Sequence, residues 1–354
     1  MAVVPEPSPD VTGNPPFSAA NPARPATMSL IDQRGPAIAV LGEAIVDFVP
    51  HGAARVGRRE MPMRAVPGGS PLNTAVAASR LGQSVAALTQ FSTDVFGELL
   101  VQHLHDNGVS TRWASRSDDP CALAFVIETP GGAQFTFRGQ GSADVLWDPQ
   151  PRPVLPDSMR FFQLSSLTSF LPPSADANHD ILSAHTDRVT VLLDPTVRPA
   201  LVPERSRWWA FLARFLPLAH IVKASDQDLE FLAPGVDPLR SAQRFVEMGA
   251  SVVIVTLGGD GARLVRSAGA ALEVIAPQVE VADTVGAGDT FAGALMTWLI
   301  EHGHRIPADL ATRSDADWLA AMHFAATAAA ITCTRPGADP PTRAELDRWL
   351  AADR

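Results

Sequence analysis

The stretch ADTVGAGDTFAGALM, residues 282–296, places two aspartates six positions apart and then begins an apolar run. Apolar residues recur at helical spacing from Phe291 to Leu299, and the preceding VEVAD, residues 279–283, predicts the end of a strand. GAGD therefore lies on a strand-to-helix turn, where free backbone amides and the helix dipole attract a negative group. The stretch predicts an α/β fold with a ligand site at this turn.

The acid of this turn, Asp289, suits chemistry beside a phosphate. It can take a proton from a hydroxyl nucleophile while the amides of Gly286, Ala287 and Gly288 stabilise charge on a phosphoryl group in flight. The alternative is that Asp289 merely caps the helix and that the glycines only permit a tight turn. GAGDTF has Phe where the dinucleotide fingerprint has its third glycine, and GxxxxGK[ST] does not occur in the chain.

Composition limits the classes of function. With 38 acidic and 28 basic residues the net charge is -10, which disfavours a nucleic-acid or anionic-membrane surface. The two cysteines, Cys121 and Cys333, have no partner at metal-binding spacing, which favours a reducing compartment such as the cytoplasm and small core roles for both. No run of about 18 apolar residues occurs, so no bilayer-spanning segment is expected.

Short β-branched runs alternate with helical patterns along the chain, which predicts a doubly wound, mainly parallel sheet. The predicted strands are residues 37–42, 85–91, 159–164, 189–194, 219–223 and 252–257. The predicted helices are residues 71–82, 94–107, 174–187, 206–216, 226–232 and 238–249. Residues 1–35, rich in Pro, Ala and Asn, predict a disordered tail, and Met28 is a candidate physiological start.

Two segments interrupt this alternation. Residues 122–138 resemble a hairpin around Pro-Gly-Gly, and residues 43–66 lack helical period. Together they predict a small antiparallel sheet that acts as a lid over the strand ends, where ligands bind in open α/β sheets. An exposed lid is also a candidate surface for a homodimer.

Two further glycine turns and one acid are candidate binding elements. GGDGA, residues 258–262, is either a phosphate nest or a plain hairpin turn. Gly68 and Gly69 precede a helix with Asn73 in its first turn, where the amide recognises hydroxyls or acts as an N-terminal cap. Asp47 follows the first strand and is either a ligand for two hydroxyls of a polyol or an ordinary loop acid.

These turns, in this order, together with LGEAIVDFVP near the start and TCTRPGADPPT near the end, resemble the ribokinase-like (PfkB) family of carbohydrate kinases, and its fructokinase-like branch in particular. The resemblance covers residues 37–350, and DTVGAGDTFAGAL is its most specific part. It implies a Rossmann-like domain, here residues 36–354, with a β lid. It also implies ATP- and Mg²⁺-dependent transfer of a phosphoryl group to a sugar's primary hydroxyl.

The resemblance also assigns roles by position. Asp289 matches the catalytic base, and residues 286–288 match the anion hole. Family positions for the sugar fall on Asp47, Gly68, Gly69, Asn73, Arg138 and Arg198. Positions on the ATP side fall on Lys223, Asp228, Thr256, Gly258 and Gly261. A monovalent cation such as K⁺ beside the anion hole would involve Asp283, the Val285 carbonyl and the loop at Arg335 and Gly337.

Three departures from the family pattern bear on these roles. The NxxE element reads SDQD, so Ser225 and Asp228 hold its two positions, and Asp reaches less far than Glu toward a metal-bound water. DPNLRP reads DPTVRP, with Thr196 in place of Asn, and Phe137 stands where Tyr is frequent. We expect these changes to affect substrate choice more than reaction type.

The acceptor is left open by the sequence. Fructose is the leading expectation, 2-keto-3-deoxygluconate is the nearest rival because Arg138 and Arg198 suit a carboxylate, and ribose or a nucleoside comes next. A sugar-binding regulator without catalysis is the alternative from another class, since SDQD is altered although GAGD is intact. An oxidoreductase is disfavoured by the missing dinucleotide fingerprint.

Overall fold

The computed structural model of the chain describes residues 35–51, 61–129 and 132–352. The predicted tail, apart from Gly35, lies outside the described residues, as does the Pro-Gly pair that begins the predicted hairpin turn. None of the helices in the described part of the chain is long and apolar enough to cross a bilayer.

The main feature is an eight-stranded sheet in the order β14-β13-β12-β11-β10-β9-β1-β4. Its six strands from β12 to β4 are parallel, and β13 and β14 complete one edge as antiparallel strands. The described strands are β1 (Ile38–Gly42), β2 (Ile45–Pro50), β3 (Met63–Gly68), β4 (Val85–Leu88), β5 (Gln90–Ser92), β6 (Ser115–Ser117), β7 (Ala122–Thr129), β8 (Gly132–Arg138), β9 (Phe161–Ser165), β10 (Thr190–Asp194), β11 (Ile221–Ser225), β12 (Val252–Thr256), β13 (Ala262–Arg266) and β14 (Leu272–Val274).

Helices cover both faces of this sheet, because its parallel strands are apolar on both sides. One core layer contains residues of α1, α2, α7, α8 and α9, and the other contains residues of α3, α4, α5 and α6. The described helices are α1 (Ser70–Arg80), α2 (Val95–Asp106), α3 (Ser174–Ser183), α4 (Arg205–Phe215), α5 (Asp226–Leu232), α6 (Pro238–Glu247), α7 (Ala287–Glu301), α8 (Asp315–Cys333) and α9 (Arg343–Ala352). The predicted doubly wound fold is confirmed.

The second sheet has the order β3-β2-β7-β8 and contains both segments that were predicted to form a lid. Its outer pairs are antiparallel, as predicted, but β2 and β7 pair in parallel between Ile45 and Phe48 on β2. The expectation of a wholly antiparallel lid is therefore wrong at its centre. β2 and β7 are separated by a long segment that includes α1 and α2, so a hairpin connection does not dictate their direction.

Two predicted strands differ in the structure. VEVAD is not a strand: Ala282 and Asp283 donate their N–H groups to the Cys333 carbonyl at 2.8 and 3.3 Å, so this segment crosses to the end of α8 instead of joining the sheet. The run over residues 85–91 is divided, because β4 ends at Leu88 and β5 pairs with β6 in a separate two-stranded sheet.

Candidate active site

The candidate site lies at the carboxyl edge of the main sheet, where ligands bind in open α/β folds. The register aligns Ser165 at the end of β9 with Asp194 at the end of β10, and Ser225 of β11 with Thr256 of β12. Polar side chains therefore occupy the ends of four neighbouring strands whose interiors are apolar, except for Gln163 and Lys223. The first turns of α1 and α7 meet at the same edge.

Asp289 lies at the third position of α7 and is held from α1 by two donors. Ser70 Oγ donates to its Oδ1 at 2.6 Å, and Asn73 Nδ2 donates to its Oδ2 at 2.9 Å. The carboxylate thus joins the two glycine-led helices that the sequence singled out separately. Asn73 contacts the acid of the turn, and Gly69 precedes α1 without a side-chain cap.

Burial raises the pKa of Asp289 above its usual range, and the hydrogen bonds from Ser70 and Asn73 oppose that rise, as does the charge of Lys223. An acid with a raised pKa is a stronger base when ionised. The site therefore supplies a carboxylate that is suited to accept a proton, and the two hydrogen bonds and the lysine charge favour its ionised form.

The turn before α7 presents backbone rather than side chains. Gly286 precedes the helix with a left-handed φ of 76°, and Ala287 donates to the Thr284 carbonyl at 3.3 Å. A Cβ at Gly288 would lie 2.7 Å from Lys223 Nζ, so only glycine lets the ammonium approach this close to the turn. The first-turn amides of α7 and a lysine cation therefore converge beside Asp289, which is an anion-binding arrangement.

Lys223 is buried on β11 and forms an ion pair with Asp194, with Nζ to Oδ2 at 2.8 Å. Burial alone lowers the pKa of Lys223, but Asp194 outweighs it, with help from Asp228 and Asp289, so the pKa is raised and the ammonium stays charged. The sequence placed Lys223 on the ATP side but missed Asp194. The sequence feature that could have identified Asp194 is its position as an acid at the carboxyl end of a buried strand.

The predicted sugar residues Asp47 and Gly68 are brought together across the β2-β3 pair. A Cβ at Gly68 would lie 2.2 Å from Asp47 Oδ2, so the carboxylate rests against the glycine backbone. Burial raises the pKa of Asp47 to about 6, and the charge of Arg198 opposes the rise. Asp47 contacts Gly68, and Ser70, two residues further along the chain, donates to Asp289. The two acids are therefore linked through the backbone of residues 68–70.

A second acid beside Asp47, Glu43, was missed as a site residue although it lies in the quoted LGEAIVD motif. Burial raises its pKa to about 7, and Asp144 adds to the rise, whereas a hydrogen bond from Ser166 and the charge of Arg198 oppose it. Asp144 is itself buried and accepts from the Ala44 N–H at 3.2 Å. The sugar side of the site therefore concentrates acidic groups.

The two predicted arginines are exposed. Arg138 donates to the Phe137 carbonyl at 3.0 Å, and Arg198 donates to the Val197 carbonyl at 3.3 Å. Arg198 lies close enough to Asp47 and Glu43 for its charge to oppose the rise in the pKa of both acids. The expected pairing of both guanidinium groups at one point stays a prediction.

The altered SDQD element is a helix start. Ser225 Oγ accepts from the Asp228 N–H at 3.0 Å, and Asp228 Oδ2 accepts from the Ser225 N–H and hydroxyl at 2.8 and 2.7 Å. Asp228 Oδ1 also accepts from the Val197 N–H at 2.8 Å. Asp228 therefore connects α5 to the DPTVR loop, and its role toward a metal-bound water stays a prediction.

The GGDGA segment forms the tight connection between β12 and the antiparallel β13. Gly258 and Gly261 have left-handed φ values of 58° and 100°, and the Thr256 hydroxyl faces the Ala224 carbonyl at 3.4 Å. Of the two alternatives, the hairpin turn is present. Binding of nucleotide phosphates by Thr256, Gly258 and Gly261 stays a prediction.

The candidate cation loops are joined by Asp283. Its Oδ1 accepts from the Val285 N–H at 3.1 Å, and its Oδ2 accepts from the Gly337 N–H at 2.8 Å. Arg335 is held by Glu345 at 2.7 Å. Asp283, Val285 and Gly337 are thus brought together, whereas the Arg335 side chain turns to Glu345, and the described residues contain no cluster of three His, Cys, Asp or Glu side chains suited to a metal.

Comparisons with known proteins agree with this geometry. The model of the "pfkB family carbohydrate kinase" family matches residues 36–345. Fructokinase-1 of Zea mays is 33% identical over 315 residues, which cover 86% of this chain and 94% of that protein. A fructokinase structure from Xylella fastidiosa with bound ATP has a TM-score of 0.77 at 25% identity and covers 89% of this chain and 98% of its own. An aminoimidazole riboside kinase structure from Salmonella enterica has a TM-score of 0.74 at 26% identity and covers 88% and 99%.

Proposed function

The chain belongs to that family of carbohydrate kinases and is a phosphotransferase, and we propose that it transfers the γ-phosphate of ATP to a primary hydroxyl of fructose. One observation carries the proposal: the Asp289 carboxylate lies beside both an anion-binding helix start and a buried lysine cation. Proton acceptor and phosphate site are thus adjacent, as phosphoryl transfer to a hydroxyl requires.

The residues divide the reaction between them. Asp47 and Asn73 orient the sugar hydroxyls, and Asp289 accepts the proton of the attacking primary hydroxyl. The amides at Gly286–Gly288 and the Lys223 ammonium stabilise the charge on the phosphoryl group as its bond to ADP breaks. Closure of the lid strands β2, β3, β7 and β8 over the sugar excludes water, so that transfer to the sugar prevails over hydrolysis.

The charge of the sugar side supports a neutral acceptor. Asp47, Glu43 and Asp144 are three acids in one small region, and Arg198 is the cation that affects the first two. A carboxylate such as that of 2-keto-3-deoxygluconate would be repelled there, whereas the hydroxyls of fructose or ribose donate to carboxylates. Fructokinase homologues from maize and other plants support fructose within the neutral group.

Mg²⁺ and a monovalent cation complete the proposal. Mg²⁺ is commonly held by substrate phosphates, waters and one or two carboxylates. Asp194 and Asp228, whose charges both act on Lys223, would supply these carboxylates. The metal ion would neutralise charge on the phosphates. K⁺ would fit between the loops that Asp283 joins, on backbone carbonyls, and comparison of turnover in K⁺ and tetramethylammonium salts tests this.

Location and assembly complete the proposed function. Cys121 and Cys333 are free thiols, and Cys121 is buried, which agrees with the proposed cytoplasmic location. We also propose that the lid sheet forms a homodimer surface. Light scattering of the purified protein tests this, and a mass equal to one chain at micromolar concentration would contradict it.

The experiment that tests the activity is ADP release from Mg-ATP with fructose, 2-keto-3-deoxygluconate, ribose and adenosine in parallel. We expect turnover with fructose and a loss of about 10²-fold or more in Asp289→Asn, because the amide cannot accept the proton. Arg198→Ala separates the acceptors, since loss confined to the acidic sugar would support the keto acid. Sugar binding by calorimetry without ADP release would instead support a regulator.

A further inference from the structure

The base Asp289 is the end of a chain of hydrogen-bonded hydroxyl groups that begins at the carboxyl end of β9. Ser165 Oγ, at the last residue of β9, lies 2.9 Å from Ser70 Oγ, which lies 2.6 Å from Asp289 Oδ1. Both serines are buried, and Ser165 is 0% exposed. The three groups lie at the last residue of β9, in the first turn of α1 and in the first turn of α7.

The direction of this chain follows from its protons. An ionised carboxylate only accepts, so Ser70 must give its single hydroxyl proton to Asp289. Ser70 therefore has only lone pairs for Ser165, and the Ser165 hydroxyl must donate to it. Ser70 therefore donates to Asp289 and accepts from Ser165 at the same time, and rotation of its hydroxyl away from Asp289 would break the bond to the carboxylate.

The position of Ser165 makes this donor rigid. It pairs with Gly42 of β1 and with Asp194 of β10, so the backbone of Ser165 is fixed from both sides. A hydrogen bond to a charged group is also stronger than one between neutral groups. The pair thus supplies Asp289 with an oriented donor that needs no reorganisation during the reaction.

We propose that Ser165 and Ser70 are positioning residues that keep Asp289 ionised and leave the remaining lone pairs of its carboxylate for the acceptor hydroxyl. The proposal rests on the function proposed above, in which Asp289 is the base. Ser70 and Ser165 act through the carboxylate and do not contact the transferred phosphate. The base then works as a unit of three residues, Asp289 of α7, Ser70 of α1 and Ser165 of β9.

The charged groups around Asp289 determine the direction of the expected effect. Lys223 on β11 lowers the pKa of Asp289, and Asp194 on β10 raises it; α1 contributes the neutral donors Ser70 and Asn73. Loss of the Ser70 hydroxyl removes a group that favours the ionised form, so the pKa of Asp289 rises further. The rate depends on the carboxylate, so the acid limb of the pH–rate profile must move to higher pH.

The test is the pH dependence of kcat for the full-length protein and three variants. We expect the acid limb to move upward by about one pH unit in Ser70→Ala and by a smaller step in Ser165→Ala. Thr74→Val is the matched control: Thr74 lies one turn further along the same face of α1, and its hydroxyl has no hydrogen-bond partner in the described residues. We expect this control to keep the wild-type limb.

A measurement without turnover separates this inference from the proposed function. The carboxyl ¹³C signal of Asp289, assigned by its loss in Asp289→Asn, reports the pKa directly whichever sugar is the substrate. A higher pKa of Asp289 in Ser70→Ala than in wild type supports the positioning role of the serines even if fructose is not turned over. Unchanged limbs and unchanged ¹³C titration in both serine variants would overturn it, as would an equal shift in Thr74→Val.

Discussion

The two acids of the site, Asp289 and Asp47, are supported in opposite ways. Burial raises the pKa of both acids, but Asp289 accepts hydrogen bonds on both carboxylate oxygens and lies near a buried lysine, whereas Asp47 rests against the Gly68 backbone and, among the described residues, only the charge of Arg198 opposes the rise. The base is organised before any ligand binds. The sugar side instead places the acids Asp47 and Glu43 near an exposed Arg198, and the hydroxyls of a polyol would supply hydrogen bonds to these acids.

The difference separates chemistry from selection. Groups that stabilise a transition state are most effective when they are already in place, because no reorganisation then accompanies the reaction. Polar groups that select a substrate discriminate best when they lack hydrogen-bond partners until the correct ligand binds. A wrong ligand then leaves these groups buried and unpaired, which weakens its binding. We expect substitutions on the two sides to differ accordingly in their effects on stability, kcat and KM.

The largest expected effect on stability concerns Lys223, the buried lysine near the base Asp289. Lys223→Met leaves Asp194 buried without its partner, and we expect the free energy of unfolding to fall by about 3–5 kcal/mol, with loss of ATP turnover. Urea denaturation measures this. The double variant Lys223→Met/Asp194→Asn removes both charges and should recover much of the loss; an unchanged urea midpoint in the single variant would contradict the arrangement.

On the sugar side of the site, Asp47→Asn should weaken sugar binding. We expect KM for the sugar to rise about 10- to 100-fold with a smaller change in kcat, because the lost contacts belong to ground state and transition state alike. Steady-state kinetics with varied sugar measure this. Asp157→Asn, the same charge change at an exposed position, serves as control; a fall in kcat with constant KM would remove the distinction between the sides.

The same variant should stabilise the ligand-free protein. Burial raises the pKa of Asp47 from 3.8 to about 6, so the folded protein loses stability as the pH rises from 3.8 to about 6, and the loss is complete above that pH. We expect Asp47→Asn to gain about 1–3 kcal/mol at pH 8 and nothing near pH 4. A gain independent of pH would contradict this origin.

The smallest expected effect lies in the DPTVR loop that joins the two sides. Thr196 has a φ of 44°, in the left-handed region that a β-branched residue rarely adopts. Asn tolerates this region, so Thr196→Asn should stabilise the protein by about 0.5–1 kcal/mol. Thermal unfolding checks the sign, and a lower melting temperature would show that the hydrogen bond from the Thr196 hydroxyl to Asp194 Oδ1 at 3.1 Å outweighs the backbone cost.

Local patterns predicted most of the fold. The parallel strands are short, apolar and β-branched, and each predicted helix is present within a few residues of its expected bounds. VEVAD failed because alternation alone does not distinguish a strand from a segment whose amides bond to the end of α8. The parallel β2-β7 pair was missed because pairing direction between segments far apart depends on tertiary structure.

The site was predicted in its motifs and missed in its connections. The glycine turns identified Asp289 and Asn73 separately, but nothing local showed that they touch. Ser70 and Asp194 escaped because a serine or an aspartate at an element end usually acts as a cap. The partner of Ser70, Asp289, is 219 positions away along the chain, and the partner of Asp194, Lys223, is 29 positions away.

The most direct test of the central claim is to follow Mg-ATP and fructose by ³¹P NMR with wild type and Asp289→Asn at equal folded concentration. The account predicts one phosphate monoester on a primary carbon, formed in step with ADP by the wild type and absent over the same period in the variant. Formation of the same ester at a similar rate by Asp289→Asn would contradict it.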